Sequence, residues 1–144
     1  MPKLLVKPKK GQGRVISVTP KSAKWKYVGH DVWKLSVGKS AKGMEAARET
    51  CIVFISGKGK VTVDGNDFGS IGERMNVFSG KPWSVYIPPK SKWQVTAETD
   101  CVINICSAPA KKGTPAFVIA PDTLSIETRG AGSNTRYEIG RAHV

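Results

Sequence analysis

The chain has 144 residues, enough for one domain with a hydrophobic core and too few for two. Its 40% apolar and 24% charged residues match ordinary globular usage and exclude a fibrous or disordered chain. The net charge of +12 suits an anionic partner or a charged, solubilising surface, but lysines such as Lys3, Lys9, Lys58, Lys90 and Lys111 are dispersed, which disfavours one dedicated nucleic-acid patch.

In chain order, residues 1–13 are rich in Lys, Pro and Gly and read as a basic extended arm or an edge strand. Their apolar run, Leu4 to Val6, falls short of the ~7–15 apolar residues of a signal peptide, and no segment approaches a membrane span of ~18. The expectation is a cytoplasmic protein without membrane attachment.

From Arg14 onward, short apolar or alternating runs recur with turn residues between them, the pattern of an all-β sandwich or barrel. Strands are predicted over 32–37, 51–55, 60–64, 84–87, 93–97, 101–106, 116–120 and 124–128. Residues 60–64 alternate as a strand with one wet face does, whereas the unbroken apolar run 51–55 predicts burial on both faces. Asp64-Gly65 tolerates positive φ and predicts a hairpin turn, and Pro88-Pro89 ends one strand before the next. Helical periodicity is scarce, and residues 43–49 form one short helical candidate. Cys51, Cys101 and Cys106 lie on apolar strands without CxxC spacing, which predicts reduced thiols rather than disulfides.

Residues 138–144 read EIGRAHV, and one back-translation, GAG ATC GGA AGA GCA CAC GTC, resembles a common sequencing-library adapter. The tail therefore reads as read-through beyond Tyr137. His143 then drops out as a candidate ligand and leaves His30.

Four ordered segments carry a specific resemblance. They are Gly13-Arg14-Val15-Ile16-Ser17-Val18-Thr19-Pro20; Arg48-Glu49-Thr50-Cys51 running into Ser56-Gly57; Gly72-Glu73-Arg74-Met75-Asn76-Val77-Phe78 through Val85-Tyr86-Ile87-Pro88-Pro89; and Cys106-Ser107-Ala108-Pro109 with Arg129-Gly130-Ala131-Gly132-Ser133-Asn134-Thr135-Arg136-Tyr137. In this order and spacing the chain resembles the N-terminal half of the 5-deoxy-glucuronate isomerase family of inositol catabolism. That family has two cupin barrels in tandem. The resemblance implies an all-β, cupin-type barrel (jelly roll) over residues 14–128, the first barrel of a two-barrel protein, with an interdomain connection starting at 129–137. It also implies a small-molecule sugar acid as substrate of the intact protein, a missing C-terminal barrel as partner, and a homo-oligomer.

A metal-binding cupin holds its cation with a His-x-His pair, a Glu three or four residues on, and a further His. With Gly57 as the strand-end glycine, Thr50 takes the Glu position. The histidine positions fall on Met44 and Ala46, or on Gly43 and Glu45 with the longer gap. In the second motif, Pro88-Pro89-Lys90-Ser91-Lys92-Trp93, Lys90 replaces a glycine and Trp93 the last ligand. No catalytic, cofactor-binding or metal-ligating residue is therefore assigned to this chain, and the divalent metal implied by the family is expected in the C-terminal cupin. Glu45 and Glu49 alone make a poor hard-cation site. His30, followed by Asp31, reads as a surface or packing residue, and no nucleophile has a base beside it.

For the intact protein the resemblance implies isomerisation of an aldose to a ketose, 5-deoxy-glucuronate to 2-deoxy-5-keto-gluconate, with the fragment itself inactive. Arg74, Arg129 and Arg136 have the planar donor geometry for a carboxylate, although salt bridges explain them more simply. Two alternatives come from other classes. One is a basic barrel that binds nucleic acid through Trp25, Tyr27, Trp33, Trp83, Tyr86 and Trp93, although the shared face of Trp93, Val95 and Ala97 points to core packing instead. The other is a non-catalytic sugar-binding cupin.

Overall fold

The structure is a computed structural model and describes residues 5–140. Its strands, in chain order, are β1 (Gly13–Val18), β2 (Gly29–Leu35), β3 (Ser40–Met44), β4 (Arg48–Ser56), β5 (Gly59–Val63), β6 (Asn66–Ile71), β7 (Ser84–Ile87), β8 (Lys92–Ala97), β9 (Cys101–Pro109), β10 (Phe117–Ile119), β11 (Ser125–Arg129) and β12 (Arg136–Gly140). The only α-helical turn among the described residues is α1 (Pro20–Ala23), set by a Thr19–Ser22 capping box with Pro20 at its first position.

Two antiparallel sheets form the barrel. One has the order β1-β2-β9-β4-β7-β10 and the other β3-β8-β5-β6. Apart from β1–β2 and β5–β6, neighbours in each sheet come from distant parts of the chain, as in a jelly roll. Side chains from both sheets interdigitate in one core. Leu35, Ile52, Phe54, Val85, Ile87 and Ile103 come from the larger sheet, and Ala41, Val61, Val63, Trp93, Val95 and Ala97 from the smaller. Trp93, Val95 and Ala97 do share the buried face of β8.

The turn chemistry fixes several registers. Asp64 (φ 49°) and Gly65 (φ 82°) form a two-residue hairpin loop that closes the Val63↔Asn66 pair. The Asp64 carboxylate accepts the Lys92 N–H at 2.7 Å, which ties this hairpin to β8. A bulge between Arg14 and Ile16 on β1 breaks the alternation, so that Val15 is buried while Arg14 stays opposite Trp33.

Three expectations are corrected. Residues 43–49 form no helix: 40–44 run along β8 as β3, and β4 starts at Arg48. A segment of seven residues has too little local helical stability to resist a sheet partner. Residues 51–55 are not buried on both faces, because Ile52 and Phe54 face the core while Cys51, Val53 and Ile55 stay half-exposed on the outer face. Finally, β11 pairs with β12 in a separate two-stranded sheet rather than with the barrel, and every residue of both strands is exposed. Strands β1, β3, β6 and β12 were not among those predicted; Ser40–Met44 and Asn66–Ile71 contain Gly, Lys, Asn and Asp, which carry little strand signal.

Candidate functional site

A cavity of about 390 Å³ opens at one end of the barrel, between the β1–β2 edge, the end of β3 and the start of β4. Its lining includes Gly43, Met44, Glu45, Thr50 and Trp93, so it lies where the cupin ligand positions converge.

The register chooses between the two alignments of the histidine pair. Ala41 and Gly43 lie opposite Val95 and Trp93, on the core side, whereas Lys42 and Met44 pair with the outward Gln94 and Lys92. Gly43, not Met44, therefore occupies the inward position, and Glu45 follows by alternation as an exposed residue at the rim. A Cβ on Gly43 would lie 2.7 Å from Trp93 Cζ2 and 3.0 Å from Cε2. The Trp93 indole, only 7% exposed, thus fills the space into which a first histidine would project. Thr50, at the glutamate position, is 4% exposed and adds only a hydroxyl and a methyl.

These residues do not fit a divalent metal. Gly43 offers no donor, Trp93 offers an N–H and no lone pair, and Thr50 offers a neutral hydroxyl. No group of three or more His, Cys, Asp or Glu side chains converges among the described residues. Glu45 and Glu49 do not meet: Glu49 accepts the Tyr86 hydroxyl at 3.0 Å on β7, and burial together with that carboxylate holds the phenol above its ordinary pKa. Lys90 keeps the glycine-like backbone of its motif, with φ 69°, and its N–H bonds the Glu45 carbonyl at 2.6 Å.

The cavity walls carry charge and hydroxyls. Arg48 donates through Nε to Ser107 Oγ at 3.0 Å and through Nη2 to the carbonyls of Ser107 and Tyr27. Gly29 makes room for this, since a Cβ there would meet Ser107 Oγ at 2.7 Å. Opposite, Arg14 lies 3.6 Å from the Asp31 carboxylate and 5.9 Å from the centre of the Trp33 ring. Trp33 Nε1 is buried and has no hydrogen-bond partner among the described residues. His30 reaches the cavity rim, with Nδ1 3.9 Å from Cys106 Sγ, and is not paired with Asp31.

The arginines singled out by sequence are elsewhere. Arg74 ties down the loop after β6 through the carbonyls of Ile55, Val77 and Gly80. Arg129 pairs with Glu127 and Glu138, and Arg136 with Glu138, on the exposed hairpin. The cavity cations are Lys42 on β3 and the guanidinium pair Arg14 and Arg48, the latter two inside motifs read from the sequence but visible as a pair only once β1 and β4 are placed at the same barrel mouth. Of the candidate stacking aromatics, Trp93 is buried and Trp33, Trp83 and Tyr86 are half-buried, while Trp25 and Tyr27 are exposed. His143 lies outside the described residues.

Cys51, Cys101 and Cys106 are free thiols. No helix among the described residues is long and apolar enough to cross a membrane.

Comparison with known proteins agrees with this architecture. The KduI/IolB family profile matches residues 4–139. The 5-deoxy-glucuronate isomerase of Geobacillus thermodenitrificans is 38% identical over 126 residues, which cover 87% of this chain and 46% of that protein. An IolB-like protein of Salmonella typhimurium superposes with a TM-score of 0.88 at 36% identity, over 92% of this chain and 51% of that one. The chain thus spans about half the length of the relatives it matches. The cupin domain of Schizosaccharomyces pombe Cnp3, at 11% identity and a TM-score of 0.53 over 73% of this chain and 69% of that one, shares the fold alone.

Proposed function

The chain belongs to the KduI/IolB family, and from that premise we propose that it forms the first barrel of a two-barrel, cytoplasmic aldose–ketose isomerase that converts 5-deoxy-glucuronate to 2-deoxy-5-keto-gluconate. In that reaction the hydrogen on C2 moves to C1, the C1 aldehyde is reduced to an alcohol, and the C2 alcohol is oxidised to a ketone, with no net redox change. The observation that carries the reading is the 38% identity over 126 residues to a protein named for this activity.

Within the isomerase, this barrel is a structural half. Gly43, Thr50 and Trp93 leave it without metal ligands, so the divalent ion and the base that moves the C2 proton belong to the second barrel. Two features support a seat for that barrel. The outer face of the larger sheet presents half-exposed Val32, Val53, Ile55 and Val102, and the exposed β11–β12 hairpin is too small to be stable without packing. Residues 129–137 start the connection.

The test is a chimera in which this chain replaces the matching segment of the Geobacillus thermodenitrificans isomerase. The chimera should isomerise 5-deoxy-glucuronate, and this chain alone should neither turn it over nor retain Zn²⁺ or Mn²⁺ after dialysis. Turnover or stoichiometric metal with this chain alone, or a folded, metal-loaded chimera without activity, refutes the proposal.

A further inference from the structure

The cavity at the barrel mouth has lost the chemistry of a metal site and acquired that of another ligand. Two guanidinium groups from different strands, Arg14 and Arg48, border it. Arg48 is pre-oriented: its Nε and Nη2 are held by Ser107 and Tyr27, which leaves Nη1 without a hydrogen bond among the described residues. A guanidinium fixed in this way loses little entropy when it meets a carboxylate, and its planar fork matches the two oxygens.

The remaining lining restricts the ligand further. The carboxylates of Asp31 and Glu45 border the same space and offset two of the three cations Arg14, Arg48 and Lys42, a balance that suits a monoanion better than a dianion such as a phosphate monoester. A free cation faces both arginines. The Trp33 and Trp93 indoles offer apolar faces suited to the C–H face of a ring, while the Thr50 hydroxyl and the Asp31 carboxylate offer hydrogen bonds to hydroxyl groups. At about 390 Å³ the cavity lies at the small end of the range of ligand sites.

We infer that this cavity binds a small polyhydroxylated monocarboxylate, a sugar acid, at a second site distinct from the reaction centre proposed for the missing barrel. Arg14 and Arg48 take the carboxylate, Trp33 and Trp93 flank the ring, and Asp31 accepts from its hydroxyls. The inference goes beyond the isomerase reading and stands on this chain's own residues, so it is tested without the second barrel.

The experiment is calorimetric titration of this chain with D-glucuronate, D-glucose and acetate. D-glucuronate should bind saturably at one site, with glucose and acetate each about tenfold weaker or worse, since each lacks one half of the recognised chemistry. Arg14→Gln, at a side chain 54% exposed and so tolerant of change, should weaken D-glucuronate by about tenfold. Lys58→Gln, at the opposite end of the barrel, should change nothing. The ligand-side comparison needs no variant and stands even if Arg14→Gln loses its fold. Absence of saturable D-glucuronate binding to a chain that melts cooperatively, acetate binding as tightly as D-glucuronate, or unchanged affinity in a folded Arg14→Gln overturns the inference. Failure of the chimera to isomerise leaves these outcomes intact, so the two proposals fall separately.

Discussion

The interlock of Gly43 and Trp93 makes a quantitative prediction. In Gly43→Ala the new methyl would lie 2.7 Å from Trp93 Cζ2, 3.0 Å from Cε2 and 3.2 Å from Nε1. The first distance is about 0.8 Å short of the ~3.5 Å at which carbon atoms begin to attract. Trp93 is packed in the core and cannot retreat freely, so overpacking should cost about 1–3 kcal/mol. Gly43 has no positive φ, and an alanine in a strand regains about 0.5–1 kcal/mol of backbone entropy. The net expectation is destabilisation by about 1–2 kcal/mol. In a Trp93→Leu background the obstructing ring is gone, and the same Gly43→Ala change should become stabilising by about 0.5 kcal/mol. Urea unfolding followed by far-UV circular dichroism measures all four corners of the cycle, with an unchanged m-value as the check that compactness is preserved. If Gly43→Ala is neutral or stabilising beside Trp93, or acts equally in both backgrounds, the indole does not occupy the vacated histidine space and the account of the missing metal site fails.

Other expectations follow from single contacts. A Cβ at Gly57 (φ 84°) would lie 2.3 Å from the Asp100 carbonyl oxygen and 2.6 Å from Cys101 Cβ, so Gly57→Ala should cost about 3 kcal/mol or more in a thermal melt. Gly38 (φ 76°), with nothing within 4 Å, should lose only about 1 kcal/mol in Gly38→Ala, from backbone strain alone. Arg48→Lys should cost about 2–3 kcal/mol in chemical denaturation, because an ammonium cannot satisfy Ser107 Oγ and two carbonyls in different directions. Burial, with Cys106 beside it, pushes the Cys51 thiol from 9.0 up to about 11. Its alkylation should therefore need a more alkaline solution than a free thiol does. The fold favours the neutral thiol, so this contribution to stability is complete below the unfolded value near 9.0 and is lost as pH rises towards 11. Cys51→Ala should remove that part of the alkaline slope in unfolding curves.

Local chemistry made much of this fold legible. Asp64-Gly65 announced its hairpin because few residue pairs accept two consecutive positive φ values, and 84–87 was read with the bounds it has in the structure because Pro88-Pro89 ends the strand. The helical capping box at Thr19-Pro20-Lys21-Ser22 was equally readable and went unread. The emptied ligand positions were visible as residue types, whereas the choice between Met44 and Gly43 was not. A single-residue change of alignment reverses which side chains point inward, and only pairing with β8 fixes it.

By itself, the sequence determined that this is a β-rich chain, since alternation and turn residues are local properties, and its family resemblance located cupin ligand positions that carry no histidine. Which strands meet, and therefore that Trp93 closes over Gly43 while Arg14 and Arg48 face one cavity, was decided by tertiary structure. Those contacts join residues dozens of positions apart, and their energy depends on burial and register, which no short window of sequence contains.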